Sequence, residues 1–107
     1  MTIPFNPNDT GESAANAAVA ITYAALADRS HLIWSIEWSY DGTPTGSIAI
    51  TVSGTAVFQQ DVRAAGPGAV TFEPPQKAAR NAEVIVTLAA GGAGVVGKVN
   101  ITHSTEA

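Results

Sequence analysis

Cysteine is absent from all 107 residues, which excludes disulfides and thiolate metal sites. The absence fits an intracellular origin. Charge is also scarce: 13% of the residues are Asp, Glu, Lys or Arg, against about 25% in an average soluble domain. The five basic residues, Arg29, Arg63, Lys77, Arg80 and Lys98, are scattered, and nine acidic residues bring the net charge to −4. Binding to nucleic acid by counterion release needs clustered cations, so no nucleic-acid partner is expected. No apolar stretch approaches the roughly 20 residues of a membrane-spanning helix. The opening "MTIPFNPNDTGES" has neither a basic region nor a long apolar core, so we expect no signal peptide and no membrane association.

Hydrophobic residues, by contrast, make up 46% of the chain. One domain is the natural reading at this length, and such a domain buries roughly 60–70% of its unfolded surface. So little charge on so small a domain points to a surface partly covered by other subunits or a partner. The alternative is a surface built from Ser, Thr, Ala and Gly.

Residues 1–16 read as an extended N-terminal arm. Pro4 and Pro7 oppose both helix and central strand, and "NPNDTGES" is turn chemistry. The apolar "IPF" at 3–5 gives the arm a tip that docks on its own domain or on a neighbour. Residues 17–107 read as the domain proper. Within 17–27 the alanines favour helix, but Val19, Ile21 and Tyr23 alternate, and we expect a strand. The strongest signal is "HLIWSIEWSY" at 31–40. Leu32, Trp34, Ile36, Trp38 and Tyr40 share one face, Ser35, Glu37 and Ser39 the other, with Ile33 out of phase. Ile48, Ile50 and Val52 alternate next, and Ser53-Gly54-Thr55 closes a hairpin. Ala56, Phe58 and Val62 follow in phase. A short strand "AVTFEPP" is expected to stop at Pro74 and Pro75, with "QKAARNA" a helical turn or a loop. Strands at 83–90 and 95–103 flank "GGAG", read as a hairpin turn. About seven strands and no helix predict an all-β fold, a β-sandwich or jelly-roll-like single domain.

Gly92, Gly97 and Lys98 match most of a phosphate-binding loop. Val99, however, stands where the motif needs Ser or Thr, and the following residues alternate as a strand rather than a helix. No nucleotide or other cofactor is expected. His31 and His103 sit at strand ends with no carboxylate at local spacing, which suggests surface or interface histidines rather than a metal site. Glu37 and Asp41 lie about 13 Å apart by strand rise, too far for paired acid–base work, and no nucleophile elbow is present. We therefore expect no enzyme. Trp34, Trp38 and Tyr40 are candidates for core or subunit interface. A sugar-stacking platform is the competing role, and it would make the domain a carbohydrate-binding or fibre/tail-type module. Asn8-Asp9-Thr10 and Asn100-Ile101-Thr102 match glycosylation sequons, which carry little weight without a secretory signal.

The passages "HLIWSIEWSYDGTPTGSIAIT", "DVRAAGPGAVTFEPP" and "VIVTLAAGGAGVVGKVNIT", in a small, acidic, sparsely charged chain, resemble the capsid decoration (cement) proteins of tailed bacteriophages. The resemblance extends over about residues 18–103. It implies a structural virion protein, made in the bacterial host cytoplasm and placed on the outer capsid surface. There it would bind the major capsid protein, often as a homotrimer, and bridge neighbouring capsid subunits. It brings no catalytic residues. It does imply a shell-contact role for the arm, at Ile3, Pro4 and Phe5.

Overall fold

The computed structural model describes residues 8–107, which form eight strands. They are β1 (Asn8–Glu12), β2 (Val19–Tyr23), β3 (Ser30–Tyr40), β4 (Gly46–Val52), β5 (Thr55–Val62), β6 (Gly66–Lys77), β7 (Val84–Leu88) and β8 (Gly97–Glu106). One sheet has the order β1-β8-β3-β6 and the other β2-β7-β4-β5. Every pairing is antiparallel. The ladders β4–β5, β3–β6, β2–β7 and β1–β8 nest inside one another along the chain. This is the path of a long hairpin rolled into two packed sheets, a jelly roll.

The core lies between the sheets. Ile36, Trp38, Tyr40, Val99 and Ile101 from the first sheet meet Ile48, Ile50, Val84, Val86 and Leu88 from the second. Alternation explains most of these positions, because every second side chain of a strand points to the same face. The tightest turn is Ser53-Gly54, where both residues have positive φ (48° and 85°). Such a two-residue turn matches the right-handed twist of its flanking strands.

Four sequence expectations change. Residues 8–12, expected in the arm, are β1, a strand at the edge of the first sheet; residues 3–5 lie outside the described residues. The strand expected to end at Pro74 continues to Lys77. It can do so because β6 is an edge strand, where a residue lacking an N–H need leave no ladder bond unmade. A register shift opposite Trp34 takes up the extra residues. "GGAG" joins β7 to β8, which lie in different sheets, so it crosses the sandwich instead of closing a hairpin. Finally, the register slips between Ile50 and Thr51, so Ala56, expected in phase with Phe58, pairs with Thr51 on the other face, and Val57 is left with no partner across the ladder and exposed.

The consequential irregularity is in β3. Ile33 pairs with His103 and Ser35 with Thr102, so Trp34 is the extra residue of a bulge. A one-residue insertion exchanges the two faces of a strand. Beyond the bulge the even residues Ile36, Trp38 and Tyr40 join the core between the sheets; before it Ser30, His31, Leu32 and Ile33 are all buried, and the one that joins that core is the odd residue Ile33. Trp34, expected in phase with the core, is 42% exposed, while Trp38 is 5% exposed. Gly68 is the residue opposite Trp38, and a Cβ there would fall 2.5 Å from the indole ring. Glycine lets the large ring lie flat on the neighbouring strand.

Candidate functional site

Two features stand apart from the ordinary core. The first is a polar chain crossing between the sheets at one end. Asp9 on β1 pairs with inward-facing Ile101, and its carboxylate accepts a 2.6 Å hydrogen bond from the Tyr23 hydroxyl on β2. The Tyr23 ring stacks on His103 of β8 at 3.8 Å and 10°. His103 Nε2 lies 2.8 Å from Nδ1 of His31 on β3. Nε2 of His31 is 2.7 Å from the carbonyl of Ala24. That carbonyl can only accept, so His31 carries its proton on Nε2, and in the neutral pair Nδ1 accepts from His103 Nε2–H. Four strands thus contribute one residue each.

Of the two histidines expected at a surface or an interface, His31 is not at the surface: it is 3% exposed, while His103 is half-buried and in direct contact with it. His103 is legible in part, because Val99, Ile101 and His103 alternate, as do Val19, Ile21 and Tyr23. His31 is not, since a regular strand would turn it outward; the bulge at Trp34 turns it in. Among the described residues no group of three or more His, Cys, Asp or Glu is placed to hold a metal. No buried side-chain polar atom lacks a partner there either.

Burial pushes the Tyr23 phenol far above its ordinary range, and the Asp9 hydrogen bond and negative charge add to this. Burial also raises Tyr40, whose hydroxyl donates to the Ala89 carbonyl at 2.6 Å. An unfolded phenol ionises near pH 10, so unfolding releases phenolic protons above that pH and stability falls as pH rises further. With only these two tyrosines in the chain, phenolate absorbance should stay flat through pH 10 and rise only together with loss of the β-sheet circular dichroism signal. Phenolate appearing near pH 10 in the folded protein would show the hydroxyls to be solvated. His103 shifts the other way: burial and His31 lower it, with Asp9 opposing.

The second feature is the contrast between the two outer faces. On the first sheet, the rung Glu12–Lys98–Ser39–Pro67 sets opposite charges face to face, and the rung Thr10–Asn100–Glu37–Ala69 adds another carboxylate. A shallow polar depression lies there, lined by Thr10, Gly11, Glu12, Ser39, Lys98 and Asn100. On the second sheet, the rungs Ala20–Thr87–Ala49–Gln59 and Thr22–Ile85–Thr51–Ala56 contain no ionisable side chain. Asp61, farther along the β5 edge, is paired with Arg63 at 3.5 Å.

The remaining sequence candidates fall into place around these features. Trp38 and Tyr40 belong to the core. Trp34 lies at the surface, its indole N–H donating to the Ser104 hydroxyl at 2.8 Å. The structure therefore does not bring Trp34, Trp38 and Tyr40 together as one platform. Glu37 is exposed, while Asp41 accepts from the Val96 N–H at 2.8 Å and fixes a turn. Lys98 stands opposite Glu12 on a strand, with no helix behind it to form a phosphate loop. No family model, no curated protein and no solved structure matches the chain.

Proposed function

We propose that this protein is a virion structural component of the capsid decoration class, docking on the outer shell of a tailed bacteriophage and bridging neighbouring capsid subunits. The observation that carries the reading is the pair of uncharged rungs at the centre of the outer face of β2-β7-β4-β5, with the exposed Asp61–Arg63 pair at its rim, set against a charged, solvent-suited face on the other sheet. A partner can cover the uncharged face without desolvating an ion. Four strands at about 4.8 Å spacing and five residues at about 3.3 Å rise give that face roughly 300 Å². A standard interface uses about 800 Å² per partner, so one copy docks weakly. Attachment would then rest on several linked copies, in which each further contact is intramolecular. A homotrimer supplies that, and Ile3, Pro4 and Phe5 keep the shell-contact role implied by the resemblance. The jelly roll is also an architecture used by capsid proteins, which is support by analogy. The reading requires no cofactor and no catalysis.

Exposed Trp34 is the one observation favouring the sugar-binding alternative, but Trp38 and Tyr40, as core residues, leave it a single ring. Antibodies raised against the chain should label the heads of virions in electron micrographs. Labelling confined to tails, or no labelling of particles, overturns the reading. Quenching of indole fluorescence by simple sugars would favour the alternative.

A further inference from the structure

We propose that the chain Asp9–Tyr23–His103–His31 is an acid-sensitive latch that holds the N-terminal end of β1 against the second sheet. Strand β1 lies at a sheet edge and has β8 as its ladder partner. Its far end is fastened by a reciprocal pair: Ser13 N–H donates to the Gly97 carbonyl and Gly97 N–H to the Ser13 hydroxyl, both at 2.8 Å. At the near end the cross-sheet hydrogen bond is Tyr23 to Asp9. Tyr23 in turn is positioned by its stack on His103, and His103 by His31.

The protons of this chain define a threshold. In the neutral pair, His103 Nε2–H donates to His31 Nδ1, and His31 Nε2–H to the Ala24 carbonyl. One added proton can enter at His103 Nδ1 with every one of these bonds kept, and the Asp9 carboxylate offsets its charge. A second has to enter at His31 Nδ1. Two N–H groups then face each other across 2.8 Å, and two cationic rings have centroids 5.0 Å apart. His31 is buried, and placing a second charge there carries a desolvation cost. The rings must separate, and because Tyr23 rides on His103, its hydroxyl leaves Asp9.

The groups facing the pair are Asp9 from β1 and Tyr23 from β2; β7 places apolar Val84 beside Tyr23. Nearby cations are engaged elsewhere: Arg29 donates to the Thr105 hydroxyl, and Lys77 on β6 pairs with Glu106 at 3.4 Å. The sign follows from the neutral pair being the form that fits, and from His103, which burial and His31 hold below the usual imidazole range. The unfolded chain takes up that proton near pH 6.5 before the folded protein does, so the latch is closed above that pH and weakens as pH falls. Opening frays β1 from Asn8 inward and bares the outer edge of β8. This inference does not depend on what the protein binds.

Hydrogen exchange at several pH values tests it on the full chain, with rates corrected for intrinsic chemistry. Exchange in residues 8–12, relative to 84–88 in the second sheet, should rise about tenfold between pH 7.5 and 5, the effect of one pH unit of linked protonation. In Y23F the rings stay but the tie to Asp9 is gone, so residues 8–12 should exchange fast even at pH 7.5. In H103F the acid response of residues 8–12 should vanish. A wild-type ratio constant from pH 7.5 to 5 overturns the proposal, as does an acid response that survives in H103F. Should H103F fail to fold, Y23F decides alone: wild-type protection of residues 8–12 at pH 7.5 sinks the latch.

Discussion

Replacing Trp38 with alanine should lower the unfolding free energy by about 3–5 kcal/mol, and Trp34→Ala by less than about 1 kcal/mol. The two indoles sit four residues apart on one strand, and by simple alternation they would be equivalent. The structure makes them unlike: Trp38 is 5% exposed and lies between the sheets, Trp34 is 42% exposed. Removing Trp38 leaves a cavity above Gly68, whose position has no side chain to fill it. Removing Trp34 forfeits one partly exposed hydrogen bond to Ser104. Domains of this size are stable by only about 5–15 kcal/mol, so W38A should be near the limit of folding while W34A folds normally. Denaturant melts of both variants check this. Fluorescence adds a second readout, since W34A should emit from the buried indole alone and shift to the blue. Equal costs for the two substitutions would mean that the bulge at Trp34 is not present in solution.

Placing a charge on the uncharged face should abolish attachment to the shell without harming the fold. Thr87 is the best position, because β7 lies inside its sheet and Ala20 and Ala49 flank Thr87 on its rung. In the free domain Thr87→Lys projects into solvent and should alter stability by no more than about 0.5 kcal/mol. In the docked state the ammonium is buried without a partner, which costs on the order of 3 kcal/mol or more and corresponds to more than about a hundredfold in affinity. Avidity multiplies the loss over every copy in an oligomer. The matched control is Glu37→Lys on the outer face of the other sheet, which should leave attachment unchanged. Co-sedimentation of the variants with shells reads both. Wild-type occupancy for T87K, or loss of binding with E37K, would move the docking surface off β2-β7-β4-β5.

The Asp9–Tyr23–His103–His31 chain and the uncharged face have a common origin in the rolled topology. Rolling brings β1 over β2, so an aspartate near the start of the chain holds a tyrosine that stacks on a histidine near its end. It also assembles the outer face of the second sheet from strands that are distant along the chain. Neither is visible in any local window of sequence.

What the sequence by itself determined is the fold class. Alternating apolar residues in β3, β4, β7 and β8, separated by Gly, Pro and Asp turns, can bury one face only as strands, and scarce charge leaves them no other use. The hairpin at Ser53-Gly54 was equally legible, because Gly54 takes positive φ at no steric cost between two alternating runs. The rejection of a phosphate loop at Lys98 followed from the strand pattern after it. The tertiary structure alone decided which face is which wherever a strand is irregular. One extra residue at Trp34 turns His31 and Ile33 inward and Trp34 outward, and no local propensity marks where the pairing slips. It also decided that β7 and β8 part into different sheets and that Pro74 and Pro75 ride on an edge. Those outcomes depend on which strand lies alongside, a property of long-range pairing, whereas local pattern sets only that a strand forms.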